Sequence, residues 1–310
     1  MDETNSGKTL LVGGSGMLGG AVGSALRQRG VSVIRLVRGV ANPRHSSATE
    51  LHWNPKSPNG EIDLSVIEGV TAVVHLSGAN VATHRWTKEY KREIVESRVV
   101  TTKVLSETLS RLKRPPGVLV AASAVGFYGD RRDEILDDRS SAGRGFFPEL
   151  CEAWEAAARP AREAGIRVVH MRFGMVVGQG GALAKMLPAF RLGLGTKLGS
   201  GKQWLSWISE TDAVAAVLFA LDNPVLSGSV NAVAPEPVTN AEFTRELARA
   251  VHRPAFFAAP AFALRLALGE MADEALLAST RALPVRLLEA GLQFQHPTLR
   301  AALEVALQTP

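Results

Sequence analysis

The stretch Thr9-Leu-Leu-Val-Gly-Gly-Ser-Gly-Met-Leu-Gly-Gly20 leaves a chain few ways to fold. A short apolar run, Leu10 to Val12, breaks at a glycine cluster, and an Ala/Val/Leu pattern of helical period follows to Arg29. The cluster reads as Gly14-x-Gly16-x-x-Gly19 or as Gly13-x-x-Gly16-x-x-Gly19, and both describe one device. One glycine turns the chain tightly off a strand, another lets backbone approach a pyrophosphate, and a third lets the helix pack close to the sheet. The helix start would then present unpaired N–H groups and the positive end of its dipole to phosphate oxygens. Gly13, Gly14, Ser15, Gly16, Met17, Leu18 and Gly19 are therefore expected to hold a dinucleotide; the alternative is a glycine-rich turn with no ligand.

The next strand, Val31 to Val37, should end where an adenosine ribose would lie. An NAD site usually places Asp or Glu about 20 residues past the fingerprint, to accept from the ribose 2′-OH. No acid occurs between Gly20 and Thr49; Arg38 stands at the strand end, with Arg35 before it and Arg44 in the loop beyond. A guanidinium suits a 2′-phosphate and leaves a ribose diol without an acceptor, so NADP(H) is favoured over NAD(H). Arg38 as an ordinary solvated loop residue is the competing reading.

Farther along, apolar strands alternate with helical patterns. Glu50 to Trp53 reads as a short strand before the turn Asn54 to Gly60, and Thr71 to Leu76 as a buried strand leading to Ser77-Gly78-Ala79-Asn80. A long polar helix is expected over roughly Thr87 to Lys113, a buried strand over Val118 to Ala122, a helix over about Pro148 to Ala164 and a strand over Ile166 to Met171. This alternation predicts an α/β fold, a doubly wound parallel sheet covered on both faces. Ligand groups should gather at the carboxyl ends of such strands. That places the Gly13 turn, Arg38, Leu76, Ser77, Gly78, Ala122, Ser123 and Phe173-Gly174-Met175 along one crevice, where Arg172 at the end of the sixth strand would meet the cofactor or a buried carboxylate.

Beyond Gly174 the pattern loosens into a smaller, mostly helical lobe, with a helix from about Thr211 to Asp222 and a strand from Ser229 to Val233. The expected division is a cofactor domain over residues 1–174, with sheet contributions from about 208–235, and a substrate lobe over 175–310. A small-molecule substrate would lie between them.

The bulk numbers fit a soluble, cytoplasmic globular chain. Of 310 residues, 46% are hydrophobic and 21% charged, and the formal net charge of +5 suits anionic ligands. The basic residues are dispersed, without a dense block, which argues against nucleic acid. The single cysteine, Cys151, permits no internal disulfide. The polar N-terminus has no signal-peptide pattern, and the apolar run Ala255 to Leu264 is too short to span a bilayer. The histidines show no paired metal-ligand spacing.

Several stretches together resemble the extended and atypical short-chain dehydrogenase/reductase superfamily, and within it an epimerase-like family known as nucleoside-diphosphate-sugar epimerases or cell-division inhibitors. They are Gly13 to Gly19, His75 to Asn80, Arg85-Trp86-Thr87, Ser97-Arg98, Ser123 to Gly129, Trp154 to Ala158, Gly199 to Ile208 and Leu268 to Met271. The family's C-terminal extension is matched by Arg281 to Pro284 and Leu288 to Phe294. The resemblance implies a Rossmann-like NADP(H)-binding domain, a substrate lobe built mainly from the C-terminal third, and, by superfamily analogy, a homodimer through the long fourth and fifth helices. The wider superfamily uses a Tyr-x-x-x-Lys pair, in which the lysine lowers the tyrosine pKa for acid/base work. Here Phe147 aligns with the tyrosine and Cys151 with the lysine, so the dyad is absent.

Candidate catalytic groups are then Ser123, at the superfamily's hydroxyl position, and Tyr128 at the crevice edge, whose ordinary pKa near 10 would need lowering. Each has a structural alternative, Ser123 as a small strand-end residue and Tyr128 as a packing residue with a wet hydroxyl. Cys151 reads as a reactive thiolate or, more simply, a small hydrophobe. Arg85 and Trp86, with Lys202, Gln203 and Trp204 from the glycine-rich loop, are candidate substrate contacts, against the reading of solvated loop and interface plugs. Two functions follow: an NADP(H)-dependent oxidoreductase or epimerase-like enzyme, or a cofactor-binding regulatory or scaffold protein without turnover.

Overall fold

The computed structural model describes residues 7–38, 50–56 and 62–308. Arg44 and residues 57–60 of the expected turn lie outside these, and Arg38 is described as backbone only.

Seven parallel strands form the central sheet: β1 (Lys8–Val12), β2 (Ser32–Arg38), β3 (Glu50–Trp53), β4 (Ala72–His75), β5 (Val118–Ala124), β6 (Arg167–Phe173) and β7 (Gly228–Ala232). Their spatial order is β7-β6-β5-β4-β1-β2-β3. The strands read as nearly unbroken apolar runs because both faces are covered, so alternate residues feed two cores. Leu10 and Val12 of β1 pack with Leu105, Leu109 and Leu119 on one face. Leu11 points to the other, with Val22, Leu26, Val120, Met171 and Val217. Each fully buried leucine contributes about 1.5–3 kcal/mol relative to exposure.

The principal helices are α1 (Met17–Gln28), α2 (Lys88–Glu96), α3 (Val99–Ser110), α4 (Phe146–Ala156), α5 (Glu210–Asp222), α6 (Asn240–Ala250) and α7 (Leu299–Gln308). The single helix expected over Thr87 to Lys113 is in fact two, α2 and α3. Arg98 at the joint has φ −111° and ψ −63°, still in the right-handed region but with φ well beyond the usual helical value near −63°. Its guanidinium donates to the carbonyls of Ile94 and Ala79, and Ser97 Oγ donates to Ile94 O while accepting from Ala79 N–H. Side chains that compete for helix carbonyls break the ladder here, and in doing so they tie the break to the turn after β4. The helix expected over Pro148 to Ala164 also divides, because Pro160 has no N–H to continue it; a second short helix covers Arg159–Glu163.

Past β6 the chain makes short paired strands, Met175–Val177 with Trp207–Ser209, Trp204–Leu205 with Val238–Thr239, and Thr196–Leu198 with Phe257–Ala259. Around them the helix Gly181–Arg191, α6 and α7 build a core from Leu183, Phe190, Trp207, Phe243, Leu247 and Leu303. A capping box fixes the start of α6: Thr239 Oγ1 accepts from Glu242 N–H, and the Glu242 carboxylate accepts from Thr239 N–H. Among the described residues, no helix is long and apolar enough to cross a membrane.

Candidate functional site

Chain order reverses between β1 and β4, and at such a switch point the strand ends diverge into a crevice. The glycine turn lies there. Gly13 has φ +89°, and a Cβ on it would lie 2.7 Å from the backbone of Leu76 and Ser77. A Cβ on Gly19 would lie 2.1 Å from the Gly13 carbonyl oxygen, so only glycine lets α1 sit this close to the turn. Gly16 differs: its backbone is extended (φ −78°, ψ 163°), and a Cβ would meet nothing nearer than 3.6 Å. The protein does not require glycine at position 16, whereas a ligand lying on the turn would. Ser15 and Gly16 are exposed, and α1 begins with no side-chain cap and no acid in its first turn. This is the arrangement an anion needs at a helix N-terminus, and these residues fit a pyrophosphate.

The neighbouring assignments fall as follows. Leu18 and Leu76 pack into the core beside the turn, and Leu76 N–H donates to Val12 O. The Met17 thioether accepts from Gly180 N–H, joining the start of α1 to the start of the helix Gly181–Arg191. A Cβ on Gly14 would touch Arg35 Nε at 3.2 Å, and Arg35 pairs with Glu50 at 2.8 Å, so Arg35 is neutralised within the protein. Ala122 is buried in β5, Ser77 and Gly78 lie just past the end of β4, and Met175 is half-buried with its N–H on Ser206 O.

The other end of the crevice departs from several expectations. Tyr128 is fully buried; its hydroxyl lies 2.7 Å from Asn231 Oδ1 and 2.9 Å from Asp137 O, and accepts from Arg172 Nη1 at 3.1 Å. Burial pushes its pKa up, the wrong direction for a proton donor. Of the two readings of Tyr128, catalytic group or packing residue, this placement favours the packing residue. Ser123 Oγ donates to Glu155 Oε1 at 2.7 Å, which occupies its hydroxyl. Of the two readings of Arg172, the cofactor or a buried carboxylate, the contacts are those of the second: it forms a two-pronged buried pair with Glu155, at 2.8 and 3.0 Å, and lies 3.5 Å from the Phe127 ring centroid. Despite desolvation, the Arg172 and Ser123 hydrogen bonds hold the Glu155 carboxyl below its usual range. Ser229 completes the cluster by donating to Glu155 Oε2.

At the dyad positions, the Phe147 ring lies edge-on to Trp86, with centroids 5.0 Å apart, and Phe146 packs beside it. Cys151 is buried, its thiol pushed up to about 12 by desolvation and the nearby Glu155 charge, so it is no reactive thiolate. Two contacts here left no mark in the sequence. The Glu274 carboxylate, on a π-helical turn (Ala272–Leu277), accepts from Phe146 and Phe147 N–H at 3.2 and 3.1 Å. A Cβ on Gly145 (φ +123°) would collide with it.

Of the substrate residues, Arg85 is exposed beside Gly269, and Trp86 Nε1 donates to Val81 O. Lys202 is exposed, while Trp204 is half-buried, its indole on Asp133 and under the Arg281 guanidinium. Gln203 is buried and donates to Leu198 O and Leu276 O, a structural contact between two loops. A cavity of about 1040 Å³ opens between the end of β3 and α2, lined among others by His52, Trp53, Lys56, Arg85 and Arg92. His52 Nδ1 and Trp53 Nε1 are buried there without hydrogen-bond partners. Among the described residues, no cluster of His, Cys, Asp or Glu could hold a metal ion.

Comparison with known proteins agrees with this geometry. The model of the NAD dependent epimerase/dehydratase family matches residues 9–233, and a domain of unknown function, DUF1731, matches 259–306. The chain belongs to the NAD dependent epimerase/dehydratase family. It is 45% identical to an epimerase family protein of Mycobacterium leprae, over 97% of this chain and 95% of that one. It is 35% identical to the mouse epimerase family protein SDR39U1, over 96% and 98%. The crystal structure of human SDR39U1 with NADPH superposes with a TM-score of 0.88 at 31% identity, covering 98% of this chain and all of that one.

Proposed function

We propose that this chain is an NADP(H)-dependent oxidoreductase or epimerase-like enzyme acting on a small or nucleotide-linked substrate. The observation that carries the reading is the contrast at the glycine turn, where Gly13 and Gly19 are required by the fold but Gly16 is left open to a ligand. NADPH in the human relative's crystal structure supports the choice of cofactor, as does Arg38 at the end of β2 without an acid nearby. Gly13 to Gly19 would hold the pyrophosphate, and Ser77 and Gly78 the cofactor's path across the β4 end. Arg38 would pair with the 2′-phosphate. The nicotinamide would supply hydride transfer. With Phe147 and Cys151 at the dyad positions and Tyr128 and Ser123 bonded internally, a water held in the crevice is the proton carrier we favour.

The same internal bonding favours a second reading, a regulatory or scaffold protein that keeps the cofactor and lacks turnover. Titration calorimetry with NADPH and NADH at one salt concentration tests the first step. Arg38→Ala should weaken NADPH by about 1.5–3 kcal/mol, the range for a hydrogen bond to a charged group, and leave NADH nearly unchanged. Equal losses for both would remove Arg38 from the 2′-phosphate. NADPH oxidation across a carbonyl panel, or its absence alongside cofactor-dependent partner binding, separates enzyme from scaffold.

A further inference from the structure

A chain of four side chains runs from α4 through α3 to the end of β4. Trp154 Nε1 donates to Thr102 Oγ1 at 3.0 Å, Thr102 Oγ1 lies 2.9 Å from His75 Nε2, and His75 Nδ1 lies 3.4 Å from Ser77 Oγ. All four residues are buried, and Thr102 and His75 are completely so. The direction of the chain follows from its first member. An indole N–H can only donate, so Thr102 Oγ1 is an acceptor there. Among the hydrogen bonds of the described residues, the Thr102 hydroxyl hydrogen then has one acceptor, His75 Nε2. If His75 Nε2 carried the proton instead, Thr102 would accept twice and bury its own hydrogen unpaired, which folded proteins avoid. Desolvation lowers the His75 pKa to about 4, which keeps the ring neutral with one N–H. That N–H is therefore on Nδ1 and points at Ser77 Oγ.

We propose that this relay fixes the polarity of Ser77: its oxygen is held as an acceptor from His75, and its hydrogen is presented to an acceptor oxygen of the bound dinucleotide. Ser77 is less than a tenth exposed, and no protein atom accepts its hydrogen among its hydrogen bonds. Its backbone is in contact with the glycine turn, since a Cβ on Gly13 would lie 2.7 Å from Ser77 N. The acceptor is accordingly a phosphate or ribose oxygen lying over that turn. Ser77 makes the contact; His75, Thr102 and Trp154 are positioning residues that act through it. This inference rests on the dinucleotide reading, but the tautomer of His75 in the free protein does not.

Two measurements decide it. Long-range ¹H–¹⁵N correlation spectra of protein labelled in histidine, with His75 assigned by the signal lost in His75→Gln, should show a neutral Nδ1–H tautomer with or without NADPH. An Nε2–H tautomer in the free wild-type protein overturns the relay. Calorimetry should show NADPH binding weakened about 10-fold in Ser77→Ala, the loss of one hydrogen bond to a charged or strongly polar acceptor. Binding equal to wild type overturns the contact. Thr102→Val should shift His75 toward Nε2–H and weaken NADPH with Ser77 untouched, and Thr102→Ser should restore both. If Thr102→Val unfolds, the Thr102→Ser and wild-type spectra still decide. Wild-type protein that binds no NADPH would defeat the dinucleotide reading, while its His75 tautomer would still test the relay.

Discussion

The two ends of the crevice are built on opposite principles. At the glycine turn, backbone donors and an uncapped helix start are left open, and Gly16 has room for a side chain the sequence does not supply. At the dyad end almost every polar group is matched inside the protein: Ser123, Arg172 and Ser229 converge on Glu155, and Tyr128 is bonded to Asn231 and Arg172. An open polar surface is useful only if something binds it, and a closed one stabilises the fold. The comparison thus separates a surface left open to a ligand from a cluster whose polar groups are bonded to one another.

Five experiments would break or sharpen this contrast. The largest effect is expected at the closed end. Glu155→Gln leaves Arg172 as an uncompensated buried charge and should cost about 3–5 kcal/mol in denaturant unfolding, while NADPH affinity of the folded protein holds. A loss of affinity with stability intact would place Glu155 in the site. Next come two alanines at the open end. Gly19→Ala forces the turn and α1 apart and should destabilise by about 1–3 kcal/mol or more, with binding lost. Gly16→Ala should change stability by less than about 0.5 kcal/mol and still weaken NADPH; if it binds normally, the open face does not carry the pyrophosphate.

Acidification probes both buried histidines. His75 and His170 have folded pKa values lowered to about 4 by burial, below the ordinary 6.5. As pH falls below 6.5 the unfolded chain takes up protons first, so stability should decline between pH 6.5 and 4, by about 1–2 kcal/mol per histidine at pH 5. Glu155, with its pKa also lowered, adds to the loss below the ordinary carboxylate range. Urea melts at pH 7 and 5 measure it, and a flat profile would mean that neither ring is held neutral. Among the substitutions that remove a contact, Tyr128→Phe should cost least, about 0.5–1.5 kcal/mol from the lost hydroxyl bonds. A fall in turnover without that change in stability would return Tyr128 to the chemistry.

Much of the fold could be read directly. Strand β1, the glycine turn and α1 occupy 21 consecutive residues, 8–28, and the strands announce themselves because a sheet covered on both faces needs unbroken apolar runs. Less legible were the helix joints. The break at Arg98 depends on the carbonyls of Ile94 and Ala79, and the latter lies outside the helix altogether.

From sequence alone, the glycine turn between strand and helix and the lack of an acid between Gly20 and Thr49 were determined, because each is a matter of residue type at local spacing. Which polar groups face the crevice was decided only by tertiary structure. Tyr128 meets Asn231 from 103 residues away, Ser123 meets Glu155 from 32, and Phe147 N–H meets Glu274 from 127. A buried polar group takes whichever partner the packed fold brings to it, and spacing along the chain carries no record of that partner.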